Sequence, residues 1–304
     1  DPVRAGRLAD QALAAIGDSD PAARFDALRV RWNASYWVGH LGEAETYLTE
    51  QMEVARAAGR KDLESVALLT RAETYSAMLD MDEAEAKLER ARELAEESGT
   101  IAPRARVLLA WAKIYMSRGH LEQAETAVQE AQRLFSEAGA VWAVARALNL
   151  GGWVAWESGD LEKGEKRFRE SIRLLKPLGD RAHLCESQRG LAELLLQRGR
   201  VEEAERFAYD ARETVGPLDV TSRATTAGSL AMVRAAQGRH EDAEALFNEA
   251  LETLAGTEFR LLEDELLESF AQFLRDRDRD DEAAALDERR EELRNAPKSS
   301  ARIA

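Results

Sequence analysis

The sequence has 304 residues, of which 33% are charged, and a formal net charge of -15. An excess of carboxylates repels phosphate backbones, so the composition argues against direct nucleic-acid binding. A single cysteine rules out an internal disulfide framework, and no apolar run or leader predicts a membrane span or a signal peptide. We therefore expect a cytoplasmic protein that does not contact the membrane.

A short motif recurs along the chain at a nearly constant spacing. In chain order it reads GHLGEAE at 39–45, LDMDEAE at 79–85, GHLEQAE at 119–125, GDLEKGE at 159–165, GRVEEAE at 199–205 and GRHEDAE at 238–244, with a degraded copy, DRDDEAA, at 278–284. The small residue near the end of each copy recurs every 39 or 40 residues, from Ala44 to Ala283. Seven copies at this spacing indicate an internal repeat.

Each motif separates two apolar helical patterns. Leu108 and Tyr115 precede the third motif and Val128 follows it, with the spacing of amphipathic helices. The glycine of the motif suits the left-handed conformation that ends a helix, and the small residue lets two helices approach closely. Pro177 and Pro217 fall between units, where a helix should end. Each unit is therefore predicted to be helix, short turn, helix.

The pattern resembles the tetratricopeptide repeat, whose first helix carries a large residue, Leu, Gly or Ala and Tyr, and whose second carries Ala, Phe and Ala. The unit around Ala124 supplies Leu108, Trp111, Ala112, Tyr115, Ala124, Val128 and Ala131. The resemblance covers residues 5–292 and implies an all-α fold, an α-α superhelix that is a right-handed solenoid of antiparallel helix pairs. The units depart from the family in length, with 39 or 40 residues rather than about 34, which predicts longer helices.

The repeats suggest a division of the chain into three parts. Residues 1–17 fit the second helix of a truncated preceding repeat, residues 18–296 form seven repeats, and residues 297–304 have the composition of a disordered tail. A stack that begins with an unpaired second helix leaves an apolar face to be covered. We therefore expect the chain to be the C-terminal part of a longer protein.

Residues capable of catalysis or metal binding recur with the repeat, so they lie in different units and do not come together at one site. His40 and His120 occupy equivalent turn positions in different units, and each unit adds about one helix diameter, ~10 Å, so they cannot share a metal. Acidic runs such as 263–265 fall on predicted solvent faces. No phosphate loop, nucleophile motif or dinucleotide fingerprint is present. The sequence predicts no cofactor, no metal site and no enzyme activity in this segment.

The resemblance also implies a binding groove, because the first helices of the family line the concave surface. The groove positions, counted back from the small residue, carry Arg29, Asn33, Tyr36, Trp37, Arg106, Lys113, Met116, Arg146, Asn149, Trp153, Trp156, Arg189 and Glu193. Aromatic and arginine anchors dominate binding energy at interfaces, and the donors around Trp153 and Trp156 would suit a peptide carboxylate or an acidic segment. The alternative is that the longer helices bury both tryptophans, whereas Trp32 and Trp111 are expected in the core.

The same fourth unit carries unusual glycines. Gly152 takes the small position of the first helix, and Gly164 stands where other units have Ala. A glycine inside a helix costs roughly 1 kcal/mol relative to Ala. The fourth unit is therefore expected to be both soft and closely packed.

From residue 179 onward the sequence is similar to the C-terminal repeats of large bacterial regulators. Those regulators carry a class III cyclase domain or an ATPase-type transcription-regulator core. This resemblance implies a regulatory domain that binds a protein or peptide partner. The alternative is a sensor for a small-molecule effector or a signalling peptide, controlling an upstream cyclase or ATPase and DNA-binding domain. Homodimerisation through exposed helix faces is compatible with both.

Overall fold

A computed structural model describes residues 2–17 and 19–297. In that part the chain forms α-helices and no strand. The helices are α1 (Pro2–Ile16), α2 (Pro21–Trp37), α3 (Leu41–Ala57), α4 (Lys61–Ala77), α5 (Met81–Ser98), α6 (Ile101–Ser117), α7 (Leu121–Glu137), α8 (Val141–Glu157), α9 (Leu161–Leu175), α10 (Arg181–Gln197), α11 (Val201–Thr214), α12 (Val220–Ala236), α13 (His240–Leu254), α14 (Arg260–Arg275) and α15 (Asp280–Asn295). The predicted class, all-α and built from helix pairs, is confirmed. Of the tail predicted at 297–304, residues 298–304 lie outside the described residues.

The turns inside the repeats have the backbone conformation that the motif predicts. Gly119 has a φ of 73°, and its N–H donates to the carbonyl of Met116 at 2.9 Å. Only glycine enters this left-handed region without steric cost. Leu79 stands at the same point of the second motif and adopts a φ of 61° although it is not glycine. The turn geometry is thus kept even where its preferred residue is absent.

The helices of each pair meet at the small residue of the motif. Ala44, Ala124 and Ala204 are each 0% exposed. At Gly164 of α9, an added Cβ would lie 2.8 Å from Cδ1 of Leu194 and 3.2 Å from the carbonyl oxygen of Gly152. The helices α2, α3 and α4 have 17 residues each, so the long repeat is taken up by long helices, as predicted.

The chain forms two compact units. The first comprises the chain up to Ala110, together with Gly256–Leu261 and the residues that follow Asn295 in the described part. The second comprises Trp111–Ala255 and Leu262–Asn295. No helix in the described part of the chain combines the length and the apolar character needed to cross a membrane.

The first unit contains a segment that is distant in sequence. Phe259 is 3% exposed and meets the ring of Tyr36 edge-on, with 5.1 Å between centroids. Glu258 accepts a hydrogen bond from the backbone N–H of Gly42 at 2.7 Å, across 216 residues of sequence. A Cβ on Gly39 would lie 2.6 Å from Cγ2 of Thr257. The turn between α2 and α3 is therefore shaped to receive this segment.

One hydrophobic cluster of the second unit is built from α8 to α12. Phe168 of α9 and Leu191 and Leu194 of α10 are each 0% exposed and belong to one hydrophobic cluster. Trp153 and Trp156 of α8 pack against this cluster while remaining partly exposed. Helix α10 contacts both α8 and α12, so the first helices of consecutive repeats lie side by side.

Candidate functional site

The residues predicted to line a groove are divided between the two units. Arg29, Asn33, Tyr36, Trp37 and Arg106 lie in the first unit. Lys113, Met116, Arg146, Asn149, Trp153, Trp156, Arg189 and Glu193 lie in the second.

In the first unit two of the predicted residues, Tyr36 and Trp37, belong to an aromatic cluster. The ring centroid of Tyr36 lies 4.8 Å from that of Trp32 and 5.6 Å from that of Trp37. Trp32 is 7% exposed, as the core prediction requires, and its Nε1 donates to Oγ1 of Thr74 at 3.2 Å. Phe259 completes the cluster, and nothing in the repeat pattern indicates its part in it.

The polar groove residues of the first unit stand apart from this packing. Arg29 is exposed and pairs with Asp26 on its own helix at 3.1 Å. Asn33 and Arg106 are partly exposed. This unit therefore offers an aromatic cluster that is largely engaged by its own residues.

In the second unit Trp153 and Trp156 form a stacked pair. Their centroids lie 5.0 Å apart with an interplanar angle of 23°, because residues three apart on α8 share one face. The edge of Phe168 meets Trp153, with 5.3 Å between centroids. Both tryptophans remain partly exposed. The pair therefore packs on the core, as the burial interpretation predicts, and also borders solvent, as the groove interpretation requires.

Two glycines make room for this arrangement. An added Cβ would lie 2.7 Å from Phe168 at Gly152 and 2.6 Å from Phe168 at Gly190. At Gly190 it would also lie 2.9 Å from Trp153. The aromatic rings are therefore held between helices that approach too closely for any side chain at these positions.

Arg189 of α10 joins the tryptophan pair. Its Cζ lies 4.7 Å from the ring centroid of Trp153, within cation–π range, and its Nη1 donates to Glu193 at 2.7 Å. Burial lowers the pKa of Arg189, but the carboxylates of Glu193 and Glu186 more than offset this, so the pKa is raised. The guanidinium is therefore charged, fixed in place and already paired.

Two further carboxylates lie within electrostatic range of Arg189, namely Glu186 of α10 and Glu265 of α14. Part of the Glu265 side chain is exposed to solvent. The protein atoms packed around its carboxylate desolvate it, and this raises the pKa of Glu265 against the lowering effect of Arg189. Among the described residues, neither Glu186 nor Glu265 has a side-chain hydrogen bond or an ion pair. We call Trp153, Trp156, Glu186, Arg189, Glu193 and Glu265 the Trp153 surface.

The other predicted residues of the second unit have different environments. Asn149 is 5% exposed, and its Nδ2 donates to Oγ of Ser187 at 3.0 Å, so it joins two helices inside the protein and does not face a ligand. The Arg146 guanidinium lies 5.0 Å from the ring centroid of Trp142. Lys113 is exposed and Met116 is partly exposed.

Two carboxylates of the Trp153 surface, Glu186 and Glu265, were not among the predicted groove residues, although the repeat register indicates them. Glu186 and Glu265 each stand 18 residues before the small residue of their motif, Ala204 and Ala283. Arg146 has the same relation to Gly164. Applying one register position to every unit would have placed both glutamates on the same face as Arg146.

No protein-family model and no curated protein matches the sequence. The structure resembles that of a Rap protein complexed with Competence and Sporulation Factor, with a TM-score of 0.72 and 13% identity over 94% of this chain and 78% of that one. It also resembles NprR in complex with its cognate peptide NprX, with a TM-score of 0.67 and 13% identity over 88% of this chain and 75% of that one.

A third similar structure is a signal transduction ATPase with numerous domains from Pyrococcus horikoshii, which has a tetratricopeptide repeat sensor. The TM-score is 0.52 and the identity 16%, over 95% of this chain and 44% of that one. At these identities the likeness concerns the fold alone. The predicted tetratricopeptide-like helical-repeat fold is confirmed.

Proposed function

We propose that this chain is a non-catalytic regulatory domain that binds a peptide or a flexible protein segment on the Trp153 surface. The observation that carries the proposal is the partly exposed Trp153–Trp156 stack with Arg189 over one ring. Aromatic and arginine side chains are the usual anchors of interfaces. Because the surrounding helices already hold these groups in place, little side-chain ordering is required when a ligand binds.

The proteins of similar fold support this function. One was solved with Competence and Sporulation Factor and another with a cognate peptide, and a third has its repeats as the sensor of a signal transduction ATPase. By the same reasoning we propose that the chain is the sensor or scaffold part of a larger bacterial signalling or transcription-regulatory protein. Its ligand would then report a signal to a domain elsewhere in that protein.

The proposal is tested by selecting peptides on the protein and asking which surface they use. A phage-displayed library of random heptapeptides is panned on the immobilised chain, and the recovered sequences are synthesised. Their affinities are then measured by tryptophan fluorescence and calorimetry for the wild type, Trp156→Ala and Trp142→Ala. Trp142 is the matched control because it is 41% exposed and lies at the start of α8, away from the stack.

We expect Trp156→Ala to weaken binding by about thirtyfold, the usual effect of removing a strong anchor, and Trp142→Ala to leave it unchanged. Circular dichroism and thermal melts establish that each variant is folded. Recovery of no peptide, or of peptides that bind Trp156→Ala as well as the wild type, would contradict the proposal.

A further inference from the structure

The charges of the Trp153 surface are unbalanced. The carboxylates of Glu186, Glu193 and Glu265 all lie within electrostatic range of one guanidinium, that of Arg189. Glu193 and Arg189 neutralise each other at 2.7 Å. In the described part of the chain, Glu186 and Glu265 have no cation within ion-pair distance. Two negative charges therefore remain beside the aromatic stack.

The neighbouring elements do not correct this excess. At the corresponding register positions, α12 carries the uncharged Thr225, Gly228 and Met232, and α14 carries Glu268, which is already paired with Arg290 of α15 at 3.0 Å. Arg234 of α12 is 5% exposed and is engaged by Glu205 of α11.

Apart from Arg189, the basic residues of the predicted groove in this unit lie on other helices. Lys113 is on α6, and Arg146 is on α8 over Trp142. Basic groups thus belong to α6 and α8, whereas the unpaired carboxylates belong to α10 and α14.

We infer that the ligand of the Trp153 surface is a basic peptide segment, which places an Arg or Lys side chain beside Glu186 and Glu265 and an apolar neighbour on Trp156. The inference rests on the proposed function and names the class of ligand. A cationic side chain would form charge-assisted hydrogen bonds with carboxylates that lack partners. The net charge of -15 would also favour encounter with a basic segment.

An acidic ligand is disfavoured by the same geometry. It would approach the carboxylate of Glu193 and two unpaired carboxylates, and like charges brought together oppose binding. The sequence-based expectation of an acidic segment treats Arg189 as a free donor. In the structure its Nη1 is bonded to Glu193, and this pairing reverses the expected sign of the ligand.

The phage-displayed heptapeptide library tests this inference when two arms are added. In the first, each peptide whose binding depends on Trp156 is resynthesised with its basic residue replaced by Gln. In the second, the wild type is compared with the double variant Glu186→Gln/Glu265→Gln. Glu202→Gln is the control because Glu202 is an exposed glutamate on α11, outside the Trp153 surface.

We expect the recovered peptides to be enriched in Arg or Lys. Replacing that residue by Gln should weaken binding to the wild type about tenfold, as expected for the loss of a charged hydrogen bond. The double variant should lose as much affinity for the basic peptide but little for its Gln form, and this coupling identifies the contact. Glu202→Gln should bind both peptides as the wild type does.

The failures of the two proposals are distinguishable. Peptides that require Trp156 but carry no basic residue, or that show no coupling to the two glutamates, overturn the inference and leave the proposed function standing. If no recovered peptide requires Trp156, the proposed function fails, and the inference fails with it.

Discussion

Arg167 of α9 and Glu125 of α7 form a two-bond ion pair between neighbouring repeats, with both N–O distances at 2.7 Å. Arg167 also donates to the carbonyl of Gly151 at 2.8 Å, and Lys163 lies 2.9 Å from the same carboxylate. The hydrogen bonds from Arg167, aided by Lys163, lower the pKa of Glu125 to about 2. The pair is mostly shielded from solvent, with side chains 12% and 20% exposed, so it links the two repeats energetically.

This pair makes a pH-dependent contribution to stability. Because the folded-state pKa of Glu125 lies below the model value of 4.5, the stabilisation is complete above pH 4.5 and is lost as the pH falls towards 2. Its size is at most about 3 kcal/mol. We expect Glu125→Gln to lower the free energy of unfolding at pH 7 and to differ progressively less from the wild type at pH 4 and pH 3.

Urea denaturation at each pH measures this difference, with Glu202→Gln as a control that removes an exposed carboxylate. A difference between Glu125→Gln and the wild type that stays constant from pH 7 to pH 3 would show that the ion pair does not act as described.

Gly190 is expected to tolerate no side chain. In Gly190→Ala the new Cβ would lie 2.6 Å from Phe168 and 2.9 Å from Trp153, and overpacking of this kind costs about 1–3 kcal/mol. That cost opposes the ~1 kcal/mol that Ala gains over Gly in a helix. The variant should unfold at lower urea and show altered tryptophan fluorescence. Gly42→Ala is the control, since its nearest atoms would be 3.5 Å away, and it should be neutral or slightly stabilising.

Gly199 should resist substitution for a different reason, its backbone conformation. It has a φ of 73°, but an added Cβ would meet nothing within 4 Å. Gly199→Ala is therefore expected to destabilise the protein by about 1 kcal/mol through left-handed strain alone. Gly216→Ala is the comparison, since Gly216 lacks a positive φ and its nearest contact would be 3.9 Å. A loss of equal size in both variants, measured by thermal unfolding, would count against backbone strain as the cause.

Cys185 should report on unfolding. Burial raises the pKa of its thiol to about 12, so almost no thiolate is present at pH 8 and reaction with a disulfide reagent should be very slow in the folded protein. As the chain has one cysteine, labelling in urea should follow the loss of helical circular dichroism. Rapid, complete labelling in the absence of urea would contradict the buried position.

Much of the fold could be predicted from the sequence because the repeat constrains it locally. The spacing of Ala44 to Ala283 locates the turns, and where a motif begins with glycine, that residue predicts a left-handed conformation, as found at Gly119 and Gly159. Leu79 shows that the turn depends on the packing of the two helices as well as on glycine. Short-range patterns of this kind need only the chemistry of adjacent residues.

The candidate site could be predicted less completely from the sequence, because it depends on which side chains pair with each other. Register alone could not show that Asn149 is bonded to Ser187 inside the protein, or that Arg189 is engaged by Glu193. The position of Phe259 against Tyr36 comes from a connection between repeats, where the sequence has no periodicity to extrapolate. Contacts made by such segments are set by three-dimensional packing.

The contact between Glu258 and Gly42 has a consequence for how the protein is made. In most repeat arrays each unit touches only its neighbours, so units can fold one after another as they are synthesised. Here the turn between α2 and α3 receives Thr257, Glu258 and Phe259, and Glu258 leaves the ribosome 216 residues after its partner Gly42. During translation the side of Tyr36 that meets Phe259 must therefore stay uncovered until residue 259 has emerged.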